Sequence, residues 1–300
     1  MLGPADLAPG FTYGEASMPI ELKTSLLLDG LVFPKSPRWH DERLWFSDMY
    51  ACQVLSVGNN GVARIEIGVE HQPSGLGWLP DGRMLVVSMH DRRLLRHDPQ
   101  GLSVVAELGD MADYHCNDMV VDRLGRAYIG NFGFDFLGKA APKPAVLILV
   151  TADGDKRVVA EDLLFPNGSV ITPDGRTLIV AESFGRRLTA FTIAPDGSLT
   201  GRRVWAQLQG ASADGICLDA EGAVWVASPI SAEVLRVLEG GAVTHRVAVA
   251  TQGIACMLGG PDRQTLFVLS APLAGPEAAL AQRLGRIETV RVDVPGAGLP

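Results

Sequence analysis

Asn117, Asn167 and Asp214 are the residues whose type and spacing first suggest chemistry. Each opens a short unit of one design: NDMVVDRLGRAYIG, NGSVITPDGRTLIVAES and DGICLDAEGAVWVAS. One carboxylate and two amide oxygens brought to a common point would make a hard-oxygen environment, suited to Ca²⁺, Mg²⁺ or Mn²⁺. The same residue types also cap hairpin starts through side-chain to backbone hydrogen bonds. Spacing alone leaves both readings open.

The elements that must position these residues are repeated hairpins. Further copies begin at Ser36 (SPRWHDERLWFSD), Gly75 (GLGWLPDGRMLVVS) and Ala255 (ACMLGGPDRQTLFVLS), so the unit occurs six times. Successive starts lie roughly 40 to 50 residues apart, the period of a β-propeller. The turns carry PDG at 80–82, 173–175 and 195–197 and AEG at 220–222, which supply the positive-φ residue a tight hairpin needs. Weaker alternating segments (QVLSVG, RLLRHD, AVLILVT, RLTAFTI, EVLRVL) follow the hairpins as third strands. The expected fold is all-β: a six-bladed β-propeller of four-stranded antiparallel blades around a central channel. Residues 1–20 are expected to form a flexible arm and 21–300 a single domain. The run ELKTSLLLDGLVF supplies an outer strand that closes the ring, and RIETVRVDV at 286–294 serves the same closure.

If the first strand of each hairpin is innermost, first-strand starts and second-strand ends share one face. Lys35, Asn117, Asn167 and Asp214 then surround the axis. Met49, His90, Phe132 and Phe184 stand around them, with Phe134 on the long irregular segment GFDFLGKAAPKP, 133–144. A polar centre inside an apolar rim is the usual make-up of a small-molecule pocket.

Composition bounds the alternatives. Hydrophobic residues are 47% of the chain and the net charge is −8, with no basic stripe, so nucleic acid is not an expected partner. Apolar runs such as AVLILV at 145–150 are too short to span a bilayer. No basic and apolar leader is visible, and the four cysteines form no CxxC pair. The expectation is a cytoplasmic protein, a monomer or weak homodimer, with a small-molecule partner. No GxSxG context surrounds any serine, which argues against a serine-hydrolase triad.

The motifs FPKSPRWHDERLWFSDM, NDMVVD, GNFGFD, FPNGSVITPDGRTLIVAE and DGICLDAEGAVWVA resemble the SMP-30/gluconolactonase (regucalcin-like) family over residues from about 25 to 295. The resemblance implies a six-bladed propeller of lactonases and related hydrolases with one axial divalent cation. Its ligands are a Glu in E-[GS]-P, the Asn of P-N-G and the Asp of D-G, with the Asn of N-D beside the metal. By position these give Asn167, Asp214 and Asn117, with His115 in the place of a substrate-binding basic residue. The glutamate position holds Lys35, in KSP.

That departure sets up three readings. In one, Lys35 turns away and Asn117, Asn167 and Asp214 retain a weakened cation, Ca²⁺ first, with Zn²⁺, Mn²⁺ or Mg²⁺ as alternatives. In another the enzyme is metal-independent: Lys35 acts as electrophile or amine and Asp214 as base. In the third the site is a catalytically impaired ligand-binding propeller. For a lactone or ester hydrolase the catalytic set is Asp214, Lys35 and Asn117. The substrate-binding set is His115, Asn117, His90, Phe132, Phe134, Phe184 and Met49. Asp48 and Glu182 are expected as nearby carboxylates that could compensate for Lys35.

Overall fold

The computed structural model describes residues 18–299. The arm expected over 1–20 therefore lies outside the described residues up to position 17, and the chain enters its first strand at Ile20. Six antiparallel sheets follow one another around an axis. The inner hairpins are Pro34–His40 with Arg43–Asp48, Pro73–Trp78 with Met84–Ser88, Cys116–Val121 with Ala127–Asn131, Pro166–Ile171 with Thr177–Glu182, Ile216–Leu218 with Val224–Ser228, and Gln252–Gly259 with Thr265–Ala271. The third strands lie where the weaker alternation puts them, at Gln53–Val57, Arg93–Asp98, Ala145–Val150, Arg187–Ile193 and Glu233–Val237. The fold is the six-bladed β-propeller.

Inner strands are buried on both faces, which explains their near-continuous apolar runs; Cys116–Val121 and Pro166–Ile171 are buried throughout. The turns are built as the PDG and AEG signals require. Asp81, Asp174 and Asp219 each accept a backbone amide two residues on, and Gly82, Gly175 and Gly222 adopt positive φ. Apolar clusters fill the spaces between neighbouring blades; Trp225, Tyr128, Phe46 and Phe267 are the bulkiest fully buried side chains.

Closure joins the two ends of the chain in one sheet. Ser25–Leu31 pairs antiparallel with Gly285–Arg291, the third strand of the last blade. The N-terminal strand is thus the outermost strand of that blade. Trp39 of the first blade stacks on Phe267 of the last, ring centroids 5.5 Å apart, and seals the seam. Ile20–Leu22 adds a parallel fifth strand to the fifth blade. A short α-helix, Pro276–Gln282, lies between the second and third strands of the last blade. Among the described residues no helix is long and apolar enough to cross a membrane.

Candidate active site at the propeller hub

Every inner strand but one breaks its register near its start. The shifts fall between Lys35 and Arg38, Pro73 and Leu76, Cys116 and Met119, Pro166 and Ser169, and Gly253 and Ala255. Such bulges re-aim side chains and twist the strand. In the fifth blade Asp214 stands just before the inner strand, its amide donating to Ala227 O. Glycines let the strands close up. A Cβ on Gly168 would lie 2.6 Å from Ile216 N, and one on Gly215 would lie 2.4 Å from Ala255 Cβ. Their amides instead donate across blades, Gly168 to Asp214 O and Gly215 to Ile254 O. The glycines of P-N-G and D-G are thus required by close approach at the axis.

At the hub Lys35 Nζ donates to Asn117 Oδ1 at 2.6 Å, joining the first blade to the third. Asn117 Nδ2 donates to Pro166 O in the fourth, at 3.1 Å. Asn167 Nδ2 donates to Ser183 Oγ, and that hydroxyl donates to Ala213 O. Lys35 is only 7% exposed, and no carboxylate oxygen among the described residues lies within 4.0 Å of its Nζ. Burial lowers its pKa, against the opposing field of Asp214. Burial pushes the Asp214 carboxyl up to about 7, against the pull of Lys35. The two proton affinities are drawn toward each other.

A second buried pair lies beside this one. Arg38 donates to Asp118 Oδ1 (2.7 Å), Met119 O (2.5 Å) and Leu76 O (2.9 Å), tying three inner strands together. Both groups of this ion pair are buried, and both act electrostatically on Lys35. Neither was singled out from the sequence as a site residue. The one available signal was the carboxylate of N-D, directly after Asn117.

Above the hub opens a cavity of about 620 Å³. Lys35, Asn117, Asn167 and Asp214 all line it, as do Met49, His90, His115, Phe132 and Phe184. Phe132 and Phe165 stack at 4.3 Å, and Phe136 meets Phe184 edge-on at 6.0 Å. His115 is sandwiched between His90 (4.1 Å) and Tyr114 (4.0 Å). Burial, and then His90, brings its pKa down to about 4, so at neutral pH it is an uncharged imidazole rather than a cationic oxyanion binder. The 133–144 segment borders the mouth through Phe136, Leu137 and Lys139, and Asp135 pins it by accepting from Tyr114 Oη and Gly138 N. Phe165 was not foreseen. It holds a left-handed backbone, φ 62°, immediately before Pro166 and Asn167, which turns a bulky ring into the cavity. Ser212 also lines the cavity, and its Oγ has no partner among the described residues.

Three expected residues stand elsewhere. Phe134 is buried behind the aromatic wall, edge-on to Phe184 at 5.4 Å, and does not line the cavity. Asp48 accepts from the amides of Val32 and Phe33, and Glu182 from Leu164 N and Arg187. Both carboxylates latch the segment entering an inner strand, so neither compensates for Lys35.

The hub residues do not fit a divalent cation in this arrangement. Asn117 Oδ1, one of the three oxygen donors implied by the resemblance, already accepts from Lys35. Asp214 is the one carboxylate lining the cavity among the described residues. A protonated amine a few ångströms from a divalent cation is repelled by several kcal/mol, at roughly 4 kcal/mol per unit charge pair at 4 Å in a partly polar site.

Fold and cavity define a six-bladed propeller with an apolar-walled cavity over its hub. The model of the SMP-30/Gluconolactonase/LRE-like region matches residues 33–272, and the chain belongs to that family. It is 26% identical over 252 residues to regucalcin of Xenopus laevis, covering 79% of this chain and 82% of the relative. It is 28% identical over 193 residues to regucalcin of Danio rerio, covering 61% of this chain and 63% of the relative. Among solved structures, a calcium-binding regucalcin from Agrobacterium tumefaciens superimposes with a TM-score of 0.79 at 22% identity, over 94% of this chain and 99% of that one. A gluconolactonase from Xanthomonas campestris gives 0.71 at 23%, over 92% and 88%. At these identities the two structures attest the fold.

Proposed function

We propose that this chain hydrolyses the ester bond of a small lactone or ester with an apolar body, using Lys35, Asn117 and Asp214 without a bound cation. The observation that carries this reading is the Lys35 Nζ to Asn117 Oδ1 contact at the floor of the cavity, with Asp214 on the same floor. Family membership supports the reaction class, and a relative in the fold is named a gluconolactonase. The aromatic wall supports an apolar substrate over a sugar lactone.

The chemistry needs one proton moved twice. With the shared proton on Lys35, the ammonium and the Asn117 amide polarise the substrate carbonyl and stabilise the oxyanion of the tetrahedral intermediate. The Asp214 carboxylate takes a proton from the attacking water. The intermediate collapses as Asp214 returns that proton to the departing alkoxide. One water is consumed, and a hydroxy acid, or an acid and an alcohol, leaves. Asn167 and Ser183 hold the neighbouring backbone.

The test is a panel of aryl esters and γ- and δ-lactones, assayed with and without a chelator. Hydrolysis that persists in the chelator and falls about 100-fold or more in Lys35→Met is the expected result. In Lys35→Glu, by contrast, activity should become dependent on added Ca²⁺ or Mn²⁺. Chelator-sensitive hydrolysis by the unaltered chain would overturn the cation-free mechanism. Binding of these compounds without turnover would point to a ligand-binding propeller.

A further inference from the structure

The disagreement between Lys35 and a cation site has a chemical consequence beyond hydrolysis. We propose that the Lys35 amine captures an aldehyde or ketone carried on an aromatic body, forming an imine in the axial cavity.

The geometry is that of an amine nucleophile rather than a structural ion pair. Lys35 is buried and lines the cavity, and among the described residues its Nζ has a single hydrogen-bond partner, the neutral amide of Asn117. With one neutral partner on Asn117, the nitrogen keeps positions that no described side chain claims, and these are open to a carbonyl carbon held in the cavity. The carboxyl of Asp214 faces the same floor, with no oxygen within 4.0 Å of Nζ. Nζ is therefore not tied to that carboxylate in a salt bridge. Above them, the stacked Phe132 and Phe165 and the edge-on Phe136 and Phe184 suit a flat aromatic body.

The step balances within the site. The amine nitrogen adds to the carbonyl carbon, and a proton passes from nitrogen to oxygen to give a carbinolamine. Asp214 in its acid form protonates the hydroxyl, which leaves as water while the C=N bond forms. The proton on the resulting iminium returns to Asp214. Carbonyl compound and amine become imine and water, with no oxidant or further reactant. Asp214 thus donates a proton in this step and accepts one in hydrolysis, the two halves of one general acid–base cycle.

The experiment is reductive trapping of the full chain with 2-naphthaldehyde and sodium cyanoborohydride at neutral pH, followed by peptide mapping. The other four lysines, Lys23, Lys139, Lys143 and Lys156, are exposed or half-buried and serve as internal controls; Lys139 also lines the cavity. Labelling of Lys35 at least about tenfold faster than of each of the other lysines is expected, with a drop of similar size in Asp214→Asn. Lys35 labelled no faster than Lys139 would overturn the proposal, as would an undiminished rate in Asp214→Asn. Both readings come from chains that retain Lys35, so they do not depend on the folding of a lysine variant. Ester hydrolysis measured on the same preparation separates failure of imine capture from failure of the hydrolase reading.

Discussion

At the scale of single residues, the Asp214 carboxyl governs the pH behaviour of the hub. The groups facing it are Lys35, which lowers its proton affinity, and Asp118, which raises it and is itself paired with Arg38. The Asn167 side chain and the Gly215 amide lower it further, yet burial dominates and the carboxyl sits at about 7, against an ordinary value of 3.8. A folded-state value above the unfolded one means the neutral acid is favoured by folding. Its contribution is complete below about pH 4 and is lost as the pH rises through about 7. Asp214→Asn should therefore melt like the parent chain at pH 4 and higher than it at pH 8, by about 1–4 kcal/mol of stability. Hydrolysis should run the other way. The base works only as the carboxylate, so the rate should climb with pH and level off above about 7, and Asp214→Asn should lose that limb. An acid limb near pH 4 would remove Asp214 from the role of base.

At the scale of elements, the hub depends on inner strands approaching more closely than side chains ordinarily permit. The register breaks turn Lys35, Asn117 and Asn167 toward the axis, and glycines at 168 and 215 let the backbones touch. Gly215 is the sharper case, because its missing Cβ would overlap Ala255, itself fully packed. Gly215→Ala should cost about 1–3 kcal/mol, read as a fall in denaturation midpoint, and should depress hydrolysis by displacing Asp214. Gly222 makes a useful contrast: it lies at φ 79° in an open turn with nothing within 4 Å, and Gly222→Asn should leave the midpoint within about 0.5 kcal/mol. Equal losses in the two variants would mean the axial contact is not what Gly215 provides.

At the scale of the whole molecule, the ring is held shut by the pairing of Ser25–Leu31 with Gly285–Arg291. Strands at opposite ends of the chain share one blade, and Leu31 joins the apolar cluster under Trp39 and Phe267. Removing the chain through Leu31 would leave Gly285–Arg291 as an open sheet edge and uncover that cluster. Such a truncation should lower the midpoint by about 10 °C or more, or give an aggregating product, as judged by thermal melting and gel filtration. A truncated chain that melts with the parent would show that the closing strand is dispensable.

The propeller was legible because a repeat unit that cannot bury its own apolar face must stack on its neighbours, and a 40-to-50-residue hairpin period allows few ways of doing so. Position within that unit was enough to bring Lys35, Asn117, Asn167 and Asp214 to one hub, since equivalent places in a ring share an axis. Tertiary structure alone decided what those residues do to one another. Whether Lys35 turned outward or inward depended on a bulge whose two-against-one pairing reverses side-chain direction, and no strand alternation reports it. The same holds for Phe134, which alternation could not send behind the wall, and for Asp48 and Glu182, whose carboxylates are claimed by nearby backbone amides. The shifted proton affinities of Lys35 and Asp214 arise from burial and mutual distance, which are properties of the closed ring and not of either residue's neighbours along the chain.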